Sequence, residues 1–237
     1  MTAIRIDRLS YQYPQREVSV ISDLSLTVQE HELVAIIGKS GCGKSTLIRL
    51  IAGLLKPKAG SISVKDQLKV GVVFQDPRLL PWKTVYENVE IAIRHQKEGE
   101  RDRSIKEALR LVGLEHAAEY YPSELSGGMA QRAALARALV QSPDILLMDE
   151  PFGALDAITR TQIQVDFEKI QQSKKMTVIL ITHEVNEAVR LADNVVILSE
   201  GHLSHSLPIP LSHPRSITNM DVVQYVAQIM NFLTQSK

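Results

Sequence analysis

The 237-residue sequence predicts an α/β fold with a mainly parallel sheet core, an antiparallel β subdomain and a helical insertion. Three observations carry that expectation. Short, nearly unbroken apolar runs recur along the chain, stripes of helical period follow two of them, and one long middle segment has no strand-like run at all.

In residues 1–30, Ile4, Ile6, Leu24, Leu26 and Val28 alternate with polar neighbours, as in an antiparallel edge or a small β subdomain. Leu33–Ile37 is different, because every residue is apolar. Strands buried on both faces of a parallel sheet read this way, and so do Val70–Phe74, Ile145–Met148, Val178–Ile181 and Val195–Leu198. After the first run, Leu47, Leu50, Ile51 and Leu54 share one helical face. After the fourth, Val185, Ala188, Val189 and Ala192 share another. Asp76 to Ala138 holds no strand-like run, and its segment Arg94–Glu107 mixes both charge signs as a solvated helical surface does. Beyond Pro208, the spacing of Val222, Val223, Val226, Ile229, Met230 and Leu233 predicts a terminal helix too short for a separate domain. One domain is therefore expected: a core with β subdomain from 1–75 and 139–205, a helical subdomain at 76–138, and a helical tail at 206–237.

Composition narrows the function. The 27 Lys and Arg residues balance 27 Asp and Glu, which argues against a nucleic-acid binder. No apolar run approaches the ~20 residues of a membrane helix, and the N-terminus MTAIRIDRLSYQY lacks the apolar core of a secretory signal. One cysteine, Cys42, excludes an intrachain disulfide framework and fits a reducing compartment.

Gly38-Lys39-Ser40-Gly41-Cys42-Gly43-Lys44-Ser45-Thr46 satisfies the phosphate-loop spacing G-x-x-x-x-G-K-[ST], between a buried strand and an amphipathic helix. The glycines let backbone N–H groups turn inward, and the helix N-terminus adds a positive dipole, so the loop favours a polyphosphate. Lys44 would act as a point charge on the β- and γ-phosphates, Ser45 as a Mg²⁺ ligand, and Thr46 as a further contact near the α-phosphate. Cys42 reads either as a small filler or as a reactive thiol, its pKa lowered by Lys44 and the helix N-terminus. In either case, alkylation there is expected to block nucleotide binding.

The run 144–150 (DILLMDE) is a buried strand ending in two acids. Adjacent carboxylates at a strand end point different ways, so Asp149 can hold Mg²⁺ through water while Glu150 faces the attacking water as general base. The plainer reading is a buried structural acid pair. His183 follows the next strand, where it is either structural or a sensor of the γ-phosphate; Gln75, ending Val70–Phe74, could reach the metal or the water. Leu125-Ser126-Gly127-Gly128-Met129 precedes an Ala-rich helix, so its Gly-Gly offers a second anion site. One phosphate loop does not need two such sites, whereas a nucleotide shared between two chains does.

Together these residues resemble the ATP-binding cassette (ABC) ATPases, from about Ile4 to Gly201. The phosphate loop matches the Walker A motif, ILLMDE the Walker B, Gln75 the Q-loop, LSGGM the signature, Gly153-Ala154-Leu155-Asp156 the D-loop, and His183 the switch histidine. Tyr13, read as lying in a strand, stands where the family stacks an aromatic on adenine. Three departures appear: Met129 for the commoner Gln of the signature, Gly153 for a frequent Ser, and His31 for a turn Gly, which imposes an awkward backbone. Phe74 to Trp82 (FQDPRLLPW), LSGGM and a tail containing His213-Pro214-Arg215 look like the nitrate/sulfonate/taurine importer branch.

The resemblance implies an ATPase with ATP and Mg²⁺ that works as a head-to-tail homodimer. Each ATP would lie against one chain's Tyr13, Gly38–Thr46, Gln75, Asp149, Glu150 and His183 and the other's Ser126, Gly127 and Gly128. It also implies transmembrane permease subunits, met through Phe74 to Val85, and indirectly a periplasmic or lipid-anchored solute-binding protein. The location implied is peripheral, on the cytoplasmic face of the inner membrane. A soluble cassette of repair or translation, an export or division-associated cassette, and a P-loop kinase are the alternatives; the kinase would have no use for LSGG.

Overall fold

The alternation near the N-terminus folds as a ribbon of strands. β1 (Thr2–Tyr11) and β2 (Ile21–Gln29) pair antiparallel, with Ile4 opposite Val28 and Ile6 opposite Leu26. The apolar members of the alternation are all buried. Where the register shifts, the Ser25 and Ser10 hydroxyls accept the backbone N–H groups of Arg8 and Asp23, each at 3.0 Å. The structure, a computed structural model, describes residues 1–15 and 17–235, Gln235 at its backbone. It divides into two compact units, one holding Met1–Leu68 and the chain from Lys175 onward, the other Lys69–Lys174.

In the first unit, β3 (Leu33–Ile37) is wholly buried and leads through the glycine loop into α1 (Lys44–Ile51). α1 is shorter than its apolar stripe predicts. The N–H groups of Gly53 and Leu54 bond back to the carbonyls of Leu50 and Arg49 at 3.1 and 2.9 Å, a closure that ends the helix. Leu54 is thus outside the helix and exposed, contrary to expectation. β4 (Ala59–Val64) completes a three-stranded sheet in the order β2-β1-β4.

The second unit opens with β5 (Val70–Val73), parallel to β6 (Ile145–Asp149) in the register Val70 opposite Ile145. β6 is buried throughout. β5 stops before Phe74 and leaves Val70 exposed, so the expectation of a strand over Val70–Phe74 buried on both faces fails at both ends. α2 (Val85–Glu90) starts with a reciprocal cap: the Thr84 hydroxyl accepts from the Glu87 N–H, and the Glu87 carboxylate from the Thr84 N–H. α3 (Glu98–Leu111) buries Ile105, Ala108 and Leu109 and turns most of its charges outward, as the mixed-sign pattern predicts. α4 (Gly127–Leu139) packs its alanines inward, and α5 (Ala157–Lys174) sets Phe167 edge-on to Phe152 with ring centres 6.0 Å apart.

The chain then returns to the first unit with β7 (Thr177–Ile181), α6 (Val185–Leu191), β8 (Asn194–Ser199), β9 (His202–Pro208) and α7 (Met220–Gln235). Within this unit the strands run β7-β3-β8-β9, with β3 parallel to β7 and β8, and β9 antiparallel to β8. β9 has no counterpart in the sequence reading. Its residues are mostly polar and alternate between exposed and half-buried, as an edge strand does.

The tail is fastened by Arg215, which is buried. Its guanidinium donates to the carbonyls of Val189 and Ala192 at the end of α6 and to those of Ile209 and Leu211. Beyond it, the Phe232 ring of α7 stacks on His205 at 4.2 Å.

Candidate functional site

The phosphate loop crosses from β3 to α1 along a route only glycine permits at two points. Gly43 has φ 106°, and a Cβ there would lie 2.7 Å from the Ile21 Cδ1 atom and 2.8 Å from the Val20 carbonyl. At Gly38 a Cβ would lie 2.2 Å from the Leu198 carbonyl. Both contacts are below any tolerable separation, so the residues that shape the loop are fixed by neighbouring backbone. Lys44 folds across this loop: its Nζ donates to the carbonyls of Gly38 and Lys39 at 2.8 and 3.0 Å. A positive charge is therefore held over the loop, Lys44 itself being buried.

Cys42 is buried beneath that charge, its Sγ 3.9 Å from the Lys44 Nζ. Burial pushes the thiol up, and the nearby ammonium only partly opposes it. The reading of a thiol with lowered pKa is thus overturned, because desolvation outweighs the lysine. Lys39, Ser40 and Gly41 are exposed, Ser45 is half-buried and Thr46 buried. The Thr46 hydroxyl lies 3.2 Å from that of Tyr13, whose ring meets Tyr11 edge-on at 5.0 Å. Contrary to the expectation of a strand position, Tyr13 lies in the loop after β1, which ends at Tyr11.

β3 and β7 pair in parallel with Ile36 opposite Ile181, so both end at one edge of the sheet. The phosphate loop leaves that edge from β3. From β7 come Thr182, whose hydroxyl accepts the Glu184 N–H at 3.0 Å, and His183, whose side chain is 57% exposed.

The remaining candidates belong to the second unit. Asp149 closes β6 and is buried, whereas Glu150 is half-buried and has a φ of 48°, rare for a residue with a Cβ. The two acids thus occupy different surroundings, as adjacent strand-end residues should. The Gln75 Nε2 donates to the Glu150 Oε2 at 3.2 Å. Asp156 accepts the Thr159 N–H at 3.0 Å just ahead of α5, and these bonds to Thr159 hold its carboxyl below the usual range. Ser126 caps α4 by accepting the Met129 N–H at 3.2 Å, leaving Gly127 and Gly128 as the helix's first residues and Leu125 just before the cap. At Met129 the cap uses only the backbone, so the departure from Gln leaves it intact.

Two residues were missed by the sequence reading. Gln131, buried in α4, donates to the Phe74 carbonyl at 3.0 Å, and Arg137 donates to the carbonyls of Pro77 and Arg78 at 2.6 and 2.8 Å. Their signal was available: both are polar residues within an Ala-rich helix.

A glycine loop between a buried strand and a helix, with its lysine drawn over it, defines a nucleotide-binding protein of the P-loop class. Comparison with known proteins narrows that. The family described as ABC transporter matches residues 21–153, more than half of the chain. The "Aliphatic sulfonates import ATP-binding protein SsuB 1" of Shouchella clausii is 44% identical over 213 residues, 90% of this chain and 85% of that protein. The "Bicarbonate transport ATP-binding protein CmpD" of Synechococcus elongatus is 42% identical over 221 residues, 86% of this chain and 78% of that protein. Among solved structures, the dimeric post-hydrolysis state of the ATP-binding cassette MJ0796 bound to ADP and Pi superposes with a TM-score of 0.82 at 31% identity, over 88% of this chain and all of that one. CbiO1 of Clostridium perfringens, part of the transporter complex cbiONQ, gives 0.79 at 26% identity, over 99% of this chain and 98% of that one.

The chain belongs to the ABC transporter family. It is an ATP-binding cassette, an ATPase whose hydrolysis is coupled to transport.

Proposed function

We propose that this chain is the ATP-hydrolysing subunit of a bacterial importer for small sulfonates or oxyanions of the nitrate, sulfonate and taurine kind. The observation that carries the reading is the similarity, across most of the chain, to import subunits named for aliphatic sulfonates and for bicarbonate. Two copies act together, each phosphate loop facing the other copy's Ser126, Gly127 and Gly128. Permease subunits bind through Phe74 to Val85, a reading supported by Trp82, an apolar side chain left 69% exposed. Among the described residues no helix is long and apolar enough to cross a membrane. The membrane path then belongs to the permease, with this subunit at its cytoplasmic face and a solute-binding protein on the far side.

Within the cassette, Lys44 and the loop amides of Gly38 to Thr46 grip the phosphates, and Tyr13 stacks on the adenine. Glu150 takes the proton of the attacking water, His183 contacts the γ-phosphate, and Asp156 works at the contact between copies. Ser45, Asp149 and Gln75 would hold Mg²⁺. All three offer oxygen, and Gln75 spends its nitrogen on Glu150, which fits a hard cation that takes few protein ligands and several phosphate or water oxygens. When bound, the metal neutralises charge on the phosphates.

Uptake tests the reading. The chain, co-expressed with candidate permease and solute-binding subunits, should restore import of labelled ethanesulfonate, taurine or nitrate to a transport-deficient host. Lys44→Ala should abolish uptake and weaken ATP binding by about tenfold or more, since it removes the loop's fixed charge. Native ATP affinity in that variant would contradict the cradle, and export of the same solutes would contradict import.

A further inference from the structure

Residues 74–78 are held at both ends by one helix. On one side of Gln75, the buried Gln131 of α4 donates to the Phe74 carbonyl at 3.0 Å. On the other side, the Arg137 guanidinium bridges two successive carbonyls, Pro77 at 2.6 Å and Arg78 at 2.8 Å. The segment also braces itself: Asp76 accepts the Arg78 N–H at 3.1 Å, and the Arg78 guanidinium lies 4.2 Å over the Phe74 ring. Between these fixed points Gln75 donates to the Glu150 Oε2 at 3.2 Å. Every group in this chain of contacts lies in the second unit.

We propose that Gln131 and Arg137 are positioning residues for hydrolysis, which hold segment 74–78 so that the Gln75 amide keeps the Glu150 carboxylate in one orientation. The Glu150 carboxylate stands at the end of two methylenes, and the bond from Gln75 acts directly on its orientation. A general base displaced by about 1 Å can lose up to about 10²-fold in rate. Gln131 and Arg137 touch backbone carbonyls, so their influence on the reaction passes through Gln75. The same helix carries the signature glycines at its start, so a shift of α4 would be felt at Gln75. The inference rests on Glu150 being the base.

A double-mutant cycle on the full-length protein tests it, with ATPase turnover and ATP affinity measured for each variant. Arg137→Ala should lower kcat by about tenfold while ATP affinity stays within about twofold, because the contacts it loses act on orientation rather than on binding. Arg137→Lys should recover part of the loss, since one ammonium cannot bridge both carbonyls as the guanidinium fork does. In a Gln75→Ala background, Arg137→Ala should cost less than about twofold, the mark of two residues acting through one path. Equal losses in both backgrounds, or a fall in ATP affinity matching the fall in kcat, would overturn the proposal. If Arg137→Ala fails to fold, Gln131→Met, which keeps the volume and removes the bond to Phe74, replaces it in the same cycle with the same outcomes. Glu150→Gln, assayed alongside, separates the two readings: turnover retained there removes the base, whereas additivity in the cycle removes only the positioning role.

Discussion

Cys42 and Lys44 lie two residues apart, and the Sγ to Nζ distance is 3.9 Å. A thiol so close to an ammonium would be expected to ionise readily, yet it is buried and its pKa is raised, because burial outweighs the charge. Since the thiolate is the attacking species, maleimide labelling should be slow at neutral pH and accelerate only above about pH 8.5, the ordinary thiol value. Intact-mass spectrometry across pH 6.5–9.5, with and without ATP, measures this. ATP should protect, and labelled protein should not bind ATP; rapid labelling at pH 6.5, or full ATPase activity after labelling, contradicts the placement. The sequence named the neighbours of Cys42 but could not say that its side chain packs inward. His31 was the opposite case. A non-glycine at a turn demands a left-handed backbone, and it has a φ of 69°. The Thr177 hydroxyl accepts its N–H at 2.9 Å, and its ring bonds to the Lys175 carbonyl, so local contacts compensate for the strain.

At the scale of elements, legibility followed burial. β3, β7 and β8 were readable because nearly every side chain along them is buried, leaving an unbroken apolar run. β9 was not, because HLSHSLP pays out polar residues along a sheet edge and looks like loop. The site divides in the same way. The phosphate loop and the strand-end acids carry compact local motifs, whereas the hold of Gln131 and Arg137 on residues 57–60 positions away is visible only in three dimensions. The junction of α6 with the tail yields a pH-dependent prediction. Burial pushes the Asp193 carboxyl up, but the hydrogen bond from His213, the Leu33 N–H and the charges of His213 and Arg215 bring it below its ordinary value. A carboxyl lowered in the folded state adds stability above its unfolded value of about 3.9, and that stability is lost as pH falls through the folded value. Asp193→Asn should therefore lower the urea midpoint at pH 7, and the gap from the parent should close as pH drops below about 4. A gap independent of pH would remove Asp193 from this role.

Across the whole molecule, 27 basic and 27 acidic residues leave no net charge to attract a strongly anionic ligand. In the proposed function the grip on ATP is local instead, made by loop amides, the helix N-terminus and Lys44, whose Nζ is drawn over the loop. The absence of net charge suits the proposed partners, a second copy and a permease, better than a polyanion. The signature motif also belongs to this scale, since the proposed function puts the capped glycines at the start of α4 against a nucleotide held by another copy. The central claim, that Glu150 drives hydrolysis in a pair of cassettes closed by ATP, is tested most directly by Glu150→Gln. Turnover should fall by about 10²-fold or more while ATP still binds, and size-exclusion chromatography with light scattering should show an ATP-dependent dimer accumulating. Hydrolysis at the parent rate, with no dimer formed on adding ATP, would contradict the account.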